Sequence, residues 1–348
     1  MIHNLQLLRA FAALSVVYLH VTSQAGLNLG VGVGNFGVDL FFVISGFTMS
    51  YVGNLPPGQF FLRRCIRILP LYWTATVGAF LVAWIAPTLI QSAAADVAQF
   101  CYSMIFMPYP NKFGILQPTL ALGWTLNYEM YFYLLFTIGL LFTRRFAPLM
   151  ASLLIVSMAL MIRFLGIQDK VALFYADPIV GEFCFGVIVY YLVKAASGSD
   201  FLRMYSISAR FALMCISIFA AVYLPLQERF APGERILSAG IPAAILVFAL
   251  ILLERQWKTS VTDNWAVLLG DSSYVLYLIH PYIIYGVIRL FLSPSTMGAM
   301  ELSVSVMALM LAAIFIAIGI HVFVERPALG YLRSKFIHRQ LSPASQMS

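Results

Sequence analysis

Residues Leu5 to Gln24, LQLLRAFAALSVVYLHVTSQ, form a stretch long and apolar enough to cross a bilayer as a helix. Arg9 and His20 lie within it, with ten residues between them. At 1.5 Å rise per residue the two side chains stand roughly 16 Å apart along the helix axis. Charged and titratable groups inside a span are costly, so a functional role is the first hypothesis for both. One lies near one face of the membrane and the other toward the opposite face. That suggests a site reached from both sides.

The rest of the chain has the same character. Of 348 residues, 61% are hydrophobic and only 10% charged, and the mean hydropathy is +0.89. Soluble domains carry about 25% charged residues. The composition therefore describes an all-α integral membrane protein, with the lipid bilayer as its first partner. The net charge of +7 needs no nucleic acid, because basic residues collect in cytoplasmic loops of membrane proteins. Cys65, Cys101, Cys184 and Cys215 form no CxxC and have no nearby His partner, so they read as packing residues rather than metal ligands. Leu5–Gln24 lacks the flanks of a cleavable signal peptide and reads as the first retained span.

Apolar runs predict a bundle of about ten transmembrane helices, at 5–24, 36–53, 71–90, 119–142, 147–165, 172–193, 209–226, 235–253, 266–292 and 302–324. The apolar segment 98–107 is too short to span and reads as interfacial or re-entrant. With the N-terminus inside, fifteen of the 21 Lys and Arg residues fall on the cytoplasmic side, which predicts that both termini are cytoplasmic. Residues 1–335 then form one membrane domain and 336–348 a short cytoplasmic tail. The Gly-rich segment 26–37 lacks a phosphate-loop pattern and reads as a connector.

Four further elements could carry chemistry. In GVDLFFVISGF, Asp39 stands at a depth similar to His20. A carboxylate there could fix the imidazole tautomer as in a general-base dyad, or could simply cap the second helix. In FLRRCIRILPLYW, Arg63, Arg64 and Arg67 form a compact basic cluster before the third span. Guanidinium groups so placed suit a phosphate-bearing ligand, although cytoplasmic anchoring is the plainer reading. In WTLNYEMYFY, Glu129 lies in an otherwise uncharged span, with Trp124, Asn127 and Tyr128 as candidate pocket neighbours; it could instead pair structurally with an Arg such as Arg9. In GDSSYVLYLIHPYIIY, Tyr277 and His280 precede Pro281, and His280 could line the site or brace a proline kink. Glu325 ends the last span and could pair with basic loop residues.

Together these elements resemble acyltransferase family 3, the multi-span membrane acyltransferases that modify cell-surface glycans. The resemblance rests on Arg9-x10-His20, GVDLFFVISGF, Arg64-x2-Arg67-x2-Pro70, WTLNYE ending at Glu129, SSYVLYLIHP ending at His280, and Glu325-Arg326-Pro327, in that order along nearly the whole chain. The narrower similarity is to bacterial exopolysaccharide O-acetyltransferases. It implies a ten-helix bundle in the bacterial inner membrane that takes acyl-CoA, most simply acetyl-CoA, on the cytoplasmic side. The acceptor would be a hydroxyl of a polysaccharide or lipid-linked precursor, near polysaccharide export machinery. His20 matches the family's essential histidine and Arg9 its basic partner. Arg64 and Arg67 match the donor step, and Glu129 the acidic residue. Thr125 stands where Ser is common.

A rival reading, a proton-coupled transporter or flippase of glycan or lipid intermediates, also suits intramembrane His, Glu and Arg. It does not require the ordered motifs.

Overall fold

The computed structural model describes residues 2–26, 34–53, 55–86, 95–197, 206–227, 234–257, 264–291 and 297–337. Residues 27–33 of the Gly-rich segment and the tail from 338 onward lie outside them. Among the described residues the chain is helical and has no β-strand beyond one isolated bridge, Pro110 to Leu116. Eight helices are long and apolar enough to cross a membrane, so the chain is a multi-pass membrane protein. Two more helices occupy expected spans: α2, Phe36–Val52, is shorter at 17 residues, and α5, Trp124–Phe142, carries Glu129.

Helix α1, His3–Gln24, runs through the bundle. Its first turn is held by Glu254 of another helix, whose carboxylate accepts from the backbone N–H of His3 at 2.8 Å and of Asn4 at 2.7 Å. A carboxylate at a helix N-terminus satisfies orphan donors and complements the helix dipole. This contact sets the depth of α1, and with it the positions of Arg9 and His20.

Helix α2 is short because it runs through protein rather than lipid. Most of its residues are buried, including Asp39. It crosses α8, Gly181–Ala196, with the two backbones in contact. A Cβ on Gly46 would lie 2.1 Å from the Phe183 carbonyl oxygen, and one on Gly186 would lie 2.1 Å from the Val43 carbonyl oxygen. Small residues at such crossings let helices in a membrane pack by van der Waals contact.

Several boundaries differ from the sequence expectation. The third helix, α3, runs Pro57–Ile85 over 29 residues, so Arg63, Arg64 and Arg67 lie on the helix itself rather than ahead of it. The expected span 266–292 is two helices, α11 (Asn264–Asp271) and α12 (Ser273–Phe291), broken at Ser272. Span 172–193 is likewise split into α7 (Lys170–Tyr175) and α8 by Asp177 and Pro178. Asp177 caps the short turn that follows it by accepting from Ile179 N at 2.9 Å. The apolar periodicity continues across these breaks and hides them. The segment read as interfacial contains helix α4, Val97–Met104, tied to α3 by Tyr72 Oη donating to the Ser103 carbonyl and Trp73 Nε1 donating to the Met104 carbonyl. The remaining described helices are α6 (Ala147–Phe164), α9 (Ser206–Tyr223), α10 (Ile241–Trp257), α13 (Ala299–Ile320) and α14 (Arg326–Phe336). Two π-helical turns, Ile236–Gly240 and His321–Glu325, adjoin α10 and α13.

The α2–α8 crossing predicts a sharp contrast. Gly46→Ala forces backbone apart at a cost of about 1–3 kcal/mol and lowers the thermal midpoint of purified protein in detergent. Gly319→Ala, where a Cβ meets nothing within 4 Å, leaves it unchanged or slightly raised.

Candidate functional site

Two cavities lie in series along α1. The first, of about 200 Å³, is lined by Arg9, Arg64, Arg67 and Glu129, with Ser45, Thr125 and Tyr133 among its walls. The second, of about 490 Å³, is lined by His20, Trp124 and Arg235, with Gln117, Tyr282 and Tyr285 among its walls. Val38 and Tyr277 belong to both linings. Tyr277 is fixed at this boundary by hydrogen bonds at 2.9 Å with Thr125 Oγ1 and 3.1 Å to the Leu122 carbonyl.

The Arg cavity sets three cations against one carboxylate. Glu129 accepts from Ser45 Oγ at 3.1 Å and from the Tyr133 hydroxyl. Arg9 lies within electrostatic reach of Glu129, Arg67 and Asp271. The Arg64 guanidinium stands over the rings of Phe60 and Tyr133, 5.7 and 6.0 Å from their centroids, and its Nε is buried with no hydrogen-bond partner. The aromatic faces offer cation–π attraction in place of a counter-ion. Such a cavity is chemically suited to an anion. Arg63 is exposed and lies outside its lining, because at one residue from Arg64 it points to another side of α3.

The His20 end differs from expectation in its partner. Asp39 does not serve His20. Its two carboxylate oxygens accept from Arg235 Nε and Nη2, each at 2.8 Å, and Arg235 also donates to the Asn35 carbonyl at 3.0 Å. Asp39 is fully buried, while the Arg235 side chain keeps 40% exposure. Fork-on-carboxylate pairing fixes the Arg235 plane at the cavity wall. Similar depth in two adjacent helices did not mean contact, because Asp39 turns toward the π-helical turn after Arg235. Glu182 of α8, also fully buried, stands beside Asp39.

The neighbour of His20 is His280, with ring centroids 5.2 Å apart. His280 is fully buried. Its Nδ1 lies 2.9 Å from the Leu276 carbonyl oxygen, which can only accept, so Nδ1 carries the proton and Nε2 is the acceptor. That Nε2 is buried without a hydrogen-bond partner.

Asn127 and Tyr128 do not line either cavity. The Tyr128 hydroxyl donates to the Phe174 carbonyl at 2.9 Å, and its ring stacks on Phe174 at 4.1 Å. Asn127 is buried with its amide unpartnered. Both face away from Glu129 because the helix turns 100° per residue. Glu325 pairs with His321 of its own turn at 2.5 Å, rather than with a loop residue. Residues not singled out from the sequence include Arg235 and, within the quoted segments themselves, Ser45, Tyr133, Tyr282 and Tyr285. Their polar tips in apolar helices were a signal, but nothing in the chain order indicated which faced inward.

A family profile described as an acyltransferase domain matches residues 2–322. The chain belongs to acyltransferase family 3. It is an acyltransferase enzyme embedded in a membrane. It is 30% identical over 326 residues to the exopolysaccharide production protein ExoZ of Rhizobium meliloti, covering 89% of this chain and 93% of that protein. It is 24% identical over 351 residues to the O-acetyltransferase OatA of Staphylococcus aureus, covering 92% of this chain and 56% of that protein. The chain thus spans nearly all of the first relative and little more than half of the second. No solved structure matches the chain.

The Asp39–Arg235 pair makes a testable unit. Asp39→Asn and Arg235→Gln each lower the thermal midpoint, and the double variant loses less than the two single losses combined. Groups in one ion-pair network couple by about 0.5–3 kcal/mol, so additive losses in this cycle contradict the pairing.

Proposed function

We propose that the protein is an O-acetyltransferase that moves an acetyl group from cytoplasmic acetyl-CoA to a hydroxyl of a surface polysaccharide or its lipid-linked precursor. The observation that carries this reading is the pair of cavities in series, one rich in arginine and one holding His20, with Tyr277 in both linings. The names of the relatives support it: one takes part in exopolysaccharide production and the other is an O-acetyltransferase.

In this reading the donor phosphates bind at Arg9, Arg64 and Arg67, whose fork geometry suits phosphate oxygens. The thin pantetheine arm passes Tyr277 and brings the thioester toward His20. The acceptor enters the His20 cavity, whose Trp124, Gln117, Tyr282 and Tyr285 offer the apolar faces and polar tips that a sugar engages. His20 takes the proton of the acceptor hydroxyl as its oxygen attacks the thioester carbonyl. The carbon–sulfur bond breaks and the thiolate leaves with a proton as free CoA. A general base of this kind contributes about 10²–10⁴-fold in rate. An acyl-His20 intermediate reaches the same products in two steps. The His280 ring, held by its Nδ1 bond to the Leu276 carbonyl, packs against the His20 ring in the place expected of Asp39 and so limits its orientation. Glu129 holds the cation array through Arg9.

The membrane is the bacterial inner membrane, with both termini and the arginine end cytoplasmic, as the Lys and Arg distribution favours. The acceptor side then faces the export route of the polysaccharide. A proton-coupled transporter or flippase of glycan or lipid intermediates does not account for the acyltransferase family match over residues 2–322, so that reading is the weaker one.

Purified protein in nanodiscs, given acetyl-CoA and a crude glycan acceptor, releases CoA and acetylates the glycan. His20→Ala abolishes both while inserting normally. Arg67→Ala raises the donor KM. His280→Gln lowers kcat and alters its pH profile while leaving the donor KM near wild type. Retained transfer in His20→Ala overturns the mechanism.

A further inference from the structure

The arginine array does not end at the cavity. The helix that begins as α13 continues through its π-helical turn into α14, and the unbroken run Ala299–Phe336 has 38 residues. At 1.5 Å per residue it is roughly 57 Å long, against about 30 Å of hydrocarbon. Helix α3, at 29 residues, is roughly 43 Å long by the same measure. They therefore overrun the hydrocarbon by about five turns and about two turns respectively. Their overrunning ends pack together, α14 against α3.

That contact brings a basic residue from far along the chain to the mouth of the Arg cavity. Arg333 of α14 interacts electrostatically with Arg67, Arg63 and Glu325, and Arg64 feels it as well. Like charges repel, so holding Arg333 among the α3 arginines is unfavourable without an anion between them. The carboxylates nearby are already engaged. Glu325 is bonded to His321, and Glu129 accepts from Ser45 and Tyr133. The neighbouring Lys335 is turned to aromatic rings of its own helix, 5.7 Å from those of Tyr331 and Phe336. Arg63 and Arg333 are exposed, Arg67 lines the cavity, and Arg64 and Arg9 lie deeper. The cations thus run from the surface into the bundle, which suits a ligand with anionic groups at more than one point along its length.

We propose that Arg333 and Arg63 form an outer subsite for a phosphate monoester, separate from the inner arginines that hold the diphosphate. Resting on the acyl-CoA reading above, this assigns the outer pair to the 3′-phosphate of the donor. A phosphate monoester is the group with the charge and the three oxygens to engage two guanidiniums at once. Lipid headgroups carry related chemistry, and the test separates the two sources.

The experiment compares acetyl-CoA with acetyl-dephospho-CoA, which lacks only the 3′-phosphate, as donors for wild type, Arg333→Gln and Arg63→Gln. Each protein is assayed in nanodiscs of phosphatidylcholine and of phosphatidylglycerol. Hydrogen bonds to charged groups are worth about 1.5–3 kcal/mol, so wild type has a KM about tenfold or more higher for the dephospho donor. In either variant the ratio falls toward one, through a higher KM for acetyl-CoA alone, with kcat retained and in both lipids. Equal use of the two donors by wild type overturns the proposal while leaving the acyl-CoA reading intact. So does a variant that keeps the wild-type ratio. A loss that appears only in phosphatidylglycerol assigns the pair to lipid headgroups instead. Failure of wild type to use either donor overturns the acyl-CoA reading itself.

Discussion

Everything in this molecule depends on keeping guanidinium groups inside a bundle that hydrocarbon surrounds. Lipid cannot solvate a cation, so each must find partners within the protein. Arg235 finds a buried carboxylate and a backbone carbonyl. Arg64 finds aromatic faces. Arg9 lies within electrostatic reach of Glu129, and both line, with Arg64 and Arg67, a cavity where cations outnumber carboxylates. The first arrangement is closed and structural. The arginine cavity instead leaves cations in excess of carboxylates, an arrangement suited to an anion.

Helix packing places these groups. Glu254 fixes the depth of α1, and the Gly46–Gly186 crossing draws α2 against α8. Two prolines inside helices, Pro70 in α3 and Pro281 in α12, remove ladder donors. The helices they interrupt are bonded to one another by tyrosines: Tyr274 donates to the Ile68 carbonyl at 2.9 Å and Tyr282 donates to the Ala75 carbonyl. Tyr277, between these two tyrosines in sequence, is shared with Val38 by both cavities. The α12 helix thus carries in one segment the link to α3, the boundary residue and the partner of His20.

Much of this was legible in the chain. Hydrophobic run length is a strong signal, and it gave the all-α membrane class and the helices themselves. The spacing of Arg9 and His20 on one helix put them at two different depths, where each lines its own cavity, because a helix converts sequence distance directly into depth. Orientation around the helix axis was less legible. Asn127 and Tyr128 stand beside Glu129 in sequence yet face elsewhere, and Arg63 leaves the cavity that Arg64 enters. Partners across helices were least legible of all. Asp39 and Arg235 are 196 positions apart, as chance pairs in the sequence are. His20 and His280 meet because α1 packs against α12, a fact that no local pattern encodes. The breaks at Ser272 and Pro178 were hidden by apolar residues on both sides.

The most direct test of the account is a cryo-electron microscopy map of the protein in nanodiscs with a non-hydrolysable acetyl-CoA analogue. The account predicts the diphosphate among Arg9, Arg64 and Arg67, the arm passing Tyr277, and the acyl carbon within contact of His20. Phosphates seated in the His20 cavity, or an arm that never reaches Tyr277, would contradict it.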